Sequence, residues 1–131
     1  MTQILAPTSV GELIDKITIL GIKLERLKDP DKLYNVKKEL KMLHETAQHH
    51  AIGFSQGQLK QLTTDLSAVN QLLWDVEDEI RNCERRDDFT NHFIDLARSV
   101  YRLNDKRAAL KRQINEVSGS HLTEEKSYTA Y

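Results

Sequence analysis

Leu59-Lys-Gln-Leu62-Thr-Thr-Asp-Leu66-Ser-Ala-Val69-Asn-Gln-Leu-Leu73-Trp-Asp-Val76-Glu-Asp-Glu-Ile80-Arg-Asn-Cys83 decides the fold. Its apolar residues return at alternating steps of three and four over nearly four heptads, the a/d seam of a long helix that packs against another helix. The spacing predicts a helix over 57–85. Beyond Arg85-Arg86-Asp87-Asp88 a second seam runs through Phe89, Phe93, Leu96, Val100, Leu103, Leu110, Ile114 and Val117, broken only by Arg107, and Gly119 closes it as a left-handed cap. That places a helix over 88–118. Reflecting one seam onto the other about position 86 or 87 sets Ile80 against Phe93, Leu73 against Val100 and Leu59 against Ile114. The same register puts Asp65 beside Lys106 and Glu79 beside His92. An antiparallel hairpin of two helices, each about 40 Å long, follows.

The preceding stretch carries a shorter copy of the same design. Ser9-Val-Gly-Glu12 reads as a capping box, with Ser9 accepting from a first-turn amide and Glu12 reaching back to the Ser9 N–H. Leu13, Ile17, Leu20, Leu24 and Leu27 form the stripe of a helix over 9–28, which must stop before Asp29-Pro30. Pro30, capped by Asp29, opens a helix over 30–50 with the stripe Leu33, Val36, Leu40, Leu43 and Ala47. Folded back on the turn near Lys28, Leu24 meets Leu33, Leu20 meets Val36, Ile17 meets Leu40 and Leu13 meets Leu43. Ala51 to Gly57 is a loop in which Ser55 serves as a cap. The expectation is a single all-α domain over 1–131: two antiparallel hairpins packed as an elongated four-helix bundle, with an arm over 1–8 and an extended tail over 120–131.

Composition narrows the function classes. Nineteen Lys and Arg against twenty Asp and Glu give a net charge of −1, with the signs interspersed, so there is no polybasic arm or acidic tail. The basic runs Arg85-Arg86 and Lys106-Arg107 to Arg112 adjoin acids, which argues against a nucleic-acid surface. No window holds the roughly 18–20 apolar residues that span a bilayer, and Met1-Thr-Gln-Ile-Leu-Ala-Pro7 has no export-signal pattern. The lone cysteine, Cys83, has no intramolecular disulfide partner, which fits the cytoplasm.

Ser9-Val-Gly-Glu-Leu-Ile-Asp-Lys-Ile-Thr-Ile-Leu20, Leu73-Trp-Asp-Val-Glu-Asp-Glu-Ile-Arg81, Leu96-Ala-Arg-Ser-Val-Tyr101, Asn104-Asp-Lys-Arg-Ala-Ala-Leu-Lys-Arg-Gln-Ile-Asn115 and Glu124-Glu-Lys-Ser-Tyr128 resemble, over nearly the whole chain, a family of bacterial proteins catalogued as a domain of unknown function. The resemblance implies a helical domain, in some members encoded near genes for surface-polysaccharide synthesis. It implies no activity and no catalytic residues.

Chemistry-bearing residues flank the seams. Asn70, Trp74, Glu77 and Arg81 share one stripe of the third helix, and Ala97, Tyr101, Asn104, Ala108 and Lys111 share one of the fourth. Trp74 and Tyr101 can be packing, with Asn70 and Asn104 paired across the seam to fix register. Alternatively Trp74, Glu77, Arg81, Tyr101, Arg107 and Lys111 line a polar pocket between the hairpins for a small anionic ligand, such as a metabolite of surface-polysaccharide synthesis. Arg107, a cation at a seam position, either pairs with Glu12 or Asp15 or holds that anion. If it is structural, Arg107→Met should keep or raise stability.

Glu12-x-x-Asp15 with Asp75-x-x-Asp78 superficially resembles magnesium-holding carboxylate pairs, but Asp15 and Asp78 fall opposite their seams. His44, His49 and His50 with Glu45 point around the second helix in different directions, and Cys83 reads as a small core residue. The sequence therefore assigns no metal, cofactor or catalytic residue. Ile19 and Ile22 lie opposite the first helix's stripe and demand a second cover, either from the other hairpin or from a second subunit. The function expected is a protein-binding or assembly module offering a rigid helical surface and a mobile Glu124 to Tyr128 tail, with no reactive group; the pocket is the alternative.

Overall fold

A computed structural model describes residues 2–53, 57–120, 122 and 124–131. Four helices follow in the order α1 (Val10–Arg26), α2 (Pro30–His49), α3 (Gly57–Arg85) and α4 (Asn91–Ser118). Their ends obey local chemistry. Ser9 Oγ accepts from the Glu12 N–H at 3.1 Å, and Asp29 accepts from the Asp31 N–H with Pro30 opening α2. The expected capping box is only half made, because the Glu12 carboxylate leaves its own helix end for Lys111. Gly119 ends α4 with φ 69° and ψ 32°, the left-handed cap a Cβ would disfavour. The Ser55 cap lies outside the described residues.

Between α3 and α4 the chain turns through Asp87, at φ 54°, a left-handed conformation that aspartate tolerates. The Asp88 carboxylate accepts from the Thr90 N–H and hydroxyl, and its own N–H donates to the Cys83 carbonyl at 2.9 Å. The turn uses residues that the heptad had assigned to the fourth helix, so α4 starts at Asn91 and not at 88.

The reflected register is visible in the packing. Leu59 and Ile114 share one buried cluster with Ile14, Leu62 and Leu66, and His92 meets Glu79 at 3.3 Å. Asp65 accepts from Gln61, one turn earlier on α3, and forms no ion pair with Lys106. In the first hairpin, Leu13 and Ile17 pack with Leu40, Leu43 and Ala47, the pairing its stripes dictate. Ile52 touches both clusters and joins them.

The assembly is a four-helix bundle organised around α1. Ile14 packs near Leu59 to Leu66, Asp15 and Thr18 meet Asn70, and Arg26 reaches Asp75, so α1 runs alongside α3 in the same direction. It therefore runs antiparallel to α4. Helix α1 packs against all three others, whereas α2 packs against α1 alone among the described residues. Ile22, at 3% exposure, is covered within the single chain, and Ile19 is half-buried against α3. The greasy second face of the first helix therefore meets the second hairpin, which removes Ile22 as a subunit contact.

Helix α1 covers about the first two-thirds of α3, as far as Asp75, and the facing part of α4. Beyond Asp75 the hairpin projects about 15 Å, ten residues at helical rise, with Val76, Ile80, Phe93 and Leu96 only half-buried and Cys83 alone of the α3 seam fully enclosed. The expected seam persists there. It lacks a third helix to complete its burial.

Candidate functional site

Beside the apolar cluster that holds Ile14 and Ile114, helices α1 and α4 meet along a polar ladder. Three residues one turn apart on α4, Arg107, Lys111 and Asn115, face Gly11, Glu12 and Asp15. The Gly11 N–H donates to Asn115 Oδ1 at 2.7 Å, and a Cβ on Gly11 would stand 2.6 Å from the Lys111 carbonyl oxygen. Glycine is what lets the backbones approach this closely. One rung on, Lys111 Nζ pairs with Glu12 at 2.5 Å and with Glu124 of the tail at 2.8 Å.

The next rung is buried. Arg107 donates from Nε and Nη2 to the two oxygens of Asp15, a bidentate fork to a carboxylate whose side chain is 2% exposed. Asn70 Nδ2 donates to Asp15 Oδ1 and to Thr18 Oγ1, both at 2.9 Å, and the Thr18 hydroxyl donates to the Asp15 carbonyl at 2.7 Å. Among the described residues no buried side-chain polar atom lacks a partner. Asn70 thus serves the α1 network, not the expected pair with Asn104. The hydrogen bonds of Asp15 hold the Arg107 guanidinium above its usual basicity. Burial pulls Lys111 down, but Glu12 and Glu124 together outweigh it and leave the amine above its ordinary 10.5.

Beside the ladder, α1, α3 and α4 leave an open groove of about 460 Å³. Ile19, Ile22, Leu73 and Trp74 give it an apolar floor, Glu77, Asp78 and Arg81 a charged rim, and Asn104 and Arg107 its far wall. The Arg26 guanidinium stands 5.9 Å from the Trp74 ring centre and pairs with Asp75, which holds the indole in place.

Of the residues singled out from sequence, Trp74, Glu77, Arg81 and Arg107 come together here. Tyr101 and Lys111 do not. Tyr101 lies against the tail, its ring edge-on to Tyr131 at 5.0 Å, in a second groove of about 930 Å³ between α4 and residues 126–131. Lys111 sits farther along α4 between its two carboxylates. The tail is extended, as expected, and tied down: Glu125 pairs with Arg112 at 3.1 Å and the Tyr131 hydroxyl donates to Asp105.

Sequence reasoning missed Gly11, Thr18, Asn70 as an α1 partner, and Asn115. The only signal for Gly11 was a glycine inside a helical pattern, which favours a packing role. Three of the four carboxylates that resemble magnesium ligands are engaged, Glu12 with Lys111, Asp15 with Arg107 and Asp75 with Arg26, and Asp78 stands apart from them at the groove rim. His49 and His50 stack edge-on with each other at 5.0 Å. Among the described residues the one group with metal-ligating geometry is Glu79, Cys83 and His92.

These features define an all-α four-helix-bundle protein whose helices are keyed by a buried ion-pair ladder, and no described helix is long and apolar enough to cross a membrane. Residues 5–131 match DUF6165, a family of unknown function, and the chain belongs to that family. No curated protein and no solved structure matches it.

Proposed function

We propose that the protein is a binding module that seats an apolar side chain of a partner protein in the groove floored by Ile19, Ile22, Leu73 and Trp74. The observation that carries this reading is the state of the cations. Arg107 is committed to Asp15, and Lys111 to Glu12 and Glu124, so two of the three bases expected to hold an anion are already neutralised. Arg81 shares the α3 side of the rim with Glu77 and Asp78, a local balance of one base and two acids. An anionic metabolite would meet that surplus of negative charge. A partner segment with an apolar anchor flanked by Lys or Arg matches both floor and rim. A reducing, cytoplasmic setting fits the unpaired thiol.

Trp74 is the only tryptophan, so its emission reports groove occupancy directly. A photo-crosslinking residue at Asp78 should capture a discrete partner in source cells, whereas one at exposed Lys41 on α2 should not. The purified partner should then shift Trp74 emission, and Ile19→Lys should abolish the shift while preserving helical content. A partner that binds wild type and Ile19→Lys equally would refute the groove. A phosphorylated metabolite or nucleotide sugar that raises Tm would favour the small-ligand alternative instead.

A further inference from the structure

The tip of the α3–α4 hairpin gathers polar groups that neither the ladder nor the groove uses. Glu79 and Cys83 stand one turn apart on α3 and share a face, and the antiparallel register brings His92, in the first turn of α4, opposite them. A carboxylate oxygen, the sulfur and a ring nitrogen all lie within 4.8 Å of one another. Thiolate, imidazole and carboxylate are together the donor set of zinc-class ions, which accept four ligands at short range.

A second observation points the same way: a cation is already seated there. The Arg86 guanidinium donates to Glu79 Oε1 at 3.1 Å, contacts Cys83 Sγ at 3.8 Å and stands 4.0 Å from Asp88 Oδ2. Its side chain is about half exposed, one residue past the end of α3, so it can swing into solvent without disturbing the core. The donors are also braced from behind. Asn82 donates to the other Glu79 oxygen at 3.3 Å, and the Asp88 N–H bond to the Cys83 carbonyl fixes the turn that delivers His92.

We infer that Glu79, Cys83 and His92 form a binding site for a zinc-class divalent cation, with the Arg86 guanidinium as the internal cation that the metal displaces. On binding, the Cys83 S–H releases its proton to solvent as the sulfur–metal bond forms. His92 supplies the ring nitrogen that otherwise meets Glu79, Glu79 supplies one oxygen, and water completes four-coordination.

Cobalt(II) added to the full chain with its thiol reduced tests this, because thiolate ligation gives a near-ultraviolet charge-transfer band and four-coordination intensifies the visible bands. Wild type should show both, and zinc should remove both by competition. Cys83→Ser should lose the charge-transfer band, and His92→Ala should weaken cobalt binding by about tenfold or more. Arg86→Gln should tighten it, since a competing cation is gone. Should Cys83→Ser fail to fold, the exposed His92 and Arg86 variants still decide the matter. Absence of the charge-transfer band in wild type overturns the site. So does a band whose affinity is indifferent to His92→Ala, which would mark a lone thiol, and weaker binding in Arg86→Gln would overturn the displacement.

Discussion

Replacing Gly11 with alanine asks whether the close approach of α1 and α4 holds the two hairpins together. Within a helix this exchange ordinarily stabilises, by up to about 1 kcal/mol, because alanine loses less backbone entropy on folding. Here the added Cβ would stand 2.6 Å from the Lys111 carbonyl oxygen and 2.9 Å from Asn115 Oδ1. The carbonyl belongs to the backbone of α4 and cannot rotate aside, so the helices must separate by several tenths of an ångström. Overpacking of that kind costs about 1–3 kcal/mol. Separation also stretches the 2.7 Å bond from the Gly11 N–H to Asn115, worth about 1 kcal/mol when buried. The penalties win, and a net loss of about 2 kcal/mol should lower Tm by roughly 6–10 °C at this chain length. Gly21→Ala is the internal control, since it lies in the same helix and its Cβ would meet nothing within 4 Å. It should stabilise by about 0.5–1 kcal/mol. Urea unfolding followed by Trp74 fluorescence and far-ultraviolet circular dichroism measures both. If Gly11→Ala matches or exceeds wild type, or if both variants shift with the same sign, the close approach does not govern docking of the hairpins.

Asp15→Ala leaves the half-buried Arg107 fork without its acceptor and Asn70 with Thr18 Oγ1 alone, and should cost about 3–5 kcal/mol in the same urea experiment. Arg107→Met should also destabilise, reversing the expectation drawn from sequence, because it strands a carboxylate that is 2% exposed with Asn70 as its remaining side-chain donor; the 29% exposure of Arg107 lets water soften that loss, and a Met variant as stable as wild type would show that it softens it fully. Ile22→Glu should abolish cooperative unfolding, since it buries a charge at a position 3% exposed, and a folded monomer carrying it would contradict the placement of Ile22 against α3. The Lys111 hydrogen bond holds Glu124 below its ordinary 4.5. A depressed carboxylate contributes its stability above the unfolded value and loses it as pH falls through the folded one, so acid should free the tail. Limited proteolysis near Lys126 should quicken below about pH 4 while the helices persist by circular dichroism, and cleavage independent of pH across that range would show that the Lys111 clasp does not hold the tail.

Periodicity made the helices legible. Leu59 to Cys83 and Phe89 to Val117 repeat at a spacing only paired helices satisfy, and reflecting them about residue 86 or 87 found the hairpin register that His92 and Glu79 display. Pro30, Asp29, Ser9 and Gly119 marked the ends, because capping is settled within a few residues of chain. Arg107 was also legible as a break in pattern, since a cation at a seam position must find a partner. Which partner was not: Glu12 and Asp15 lie one turn apart on α1, and only the depth at which α1 meets α4, set by Gly11 against the Lys111 backbone, gives Asp15 to Arg107 and Glu12 to Lys111. The same placement took Asn70 from its expected pair with Asn104, buried Ile22 inside the chain, and parted Tyr101 and Lys111 from the Trp74 groove. The cluster of Glu79, Cys83 and His92 lay half visible, in the one-turn spacing of the first two and the reflected register of the third. Helix formation and hairpin register depend on neighbours a few residues or one reflection away, which a linear pattern encodes; the docking of one hairpin on the other depends on side-chain shape and charge at single contacts distant in sequence, and only the folded chain brings those together.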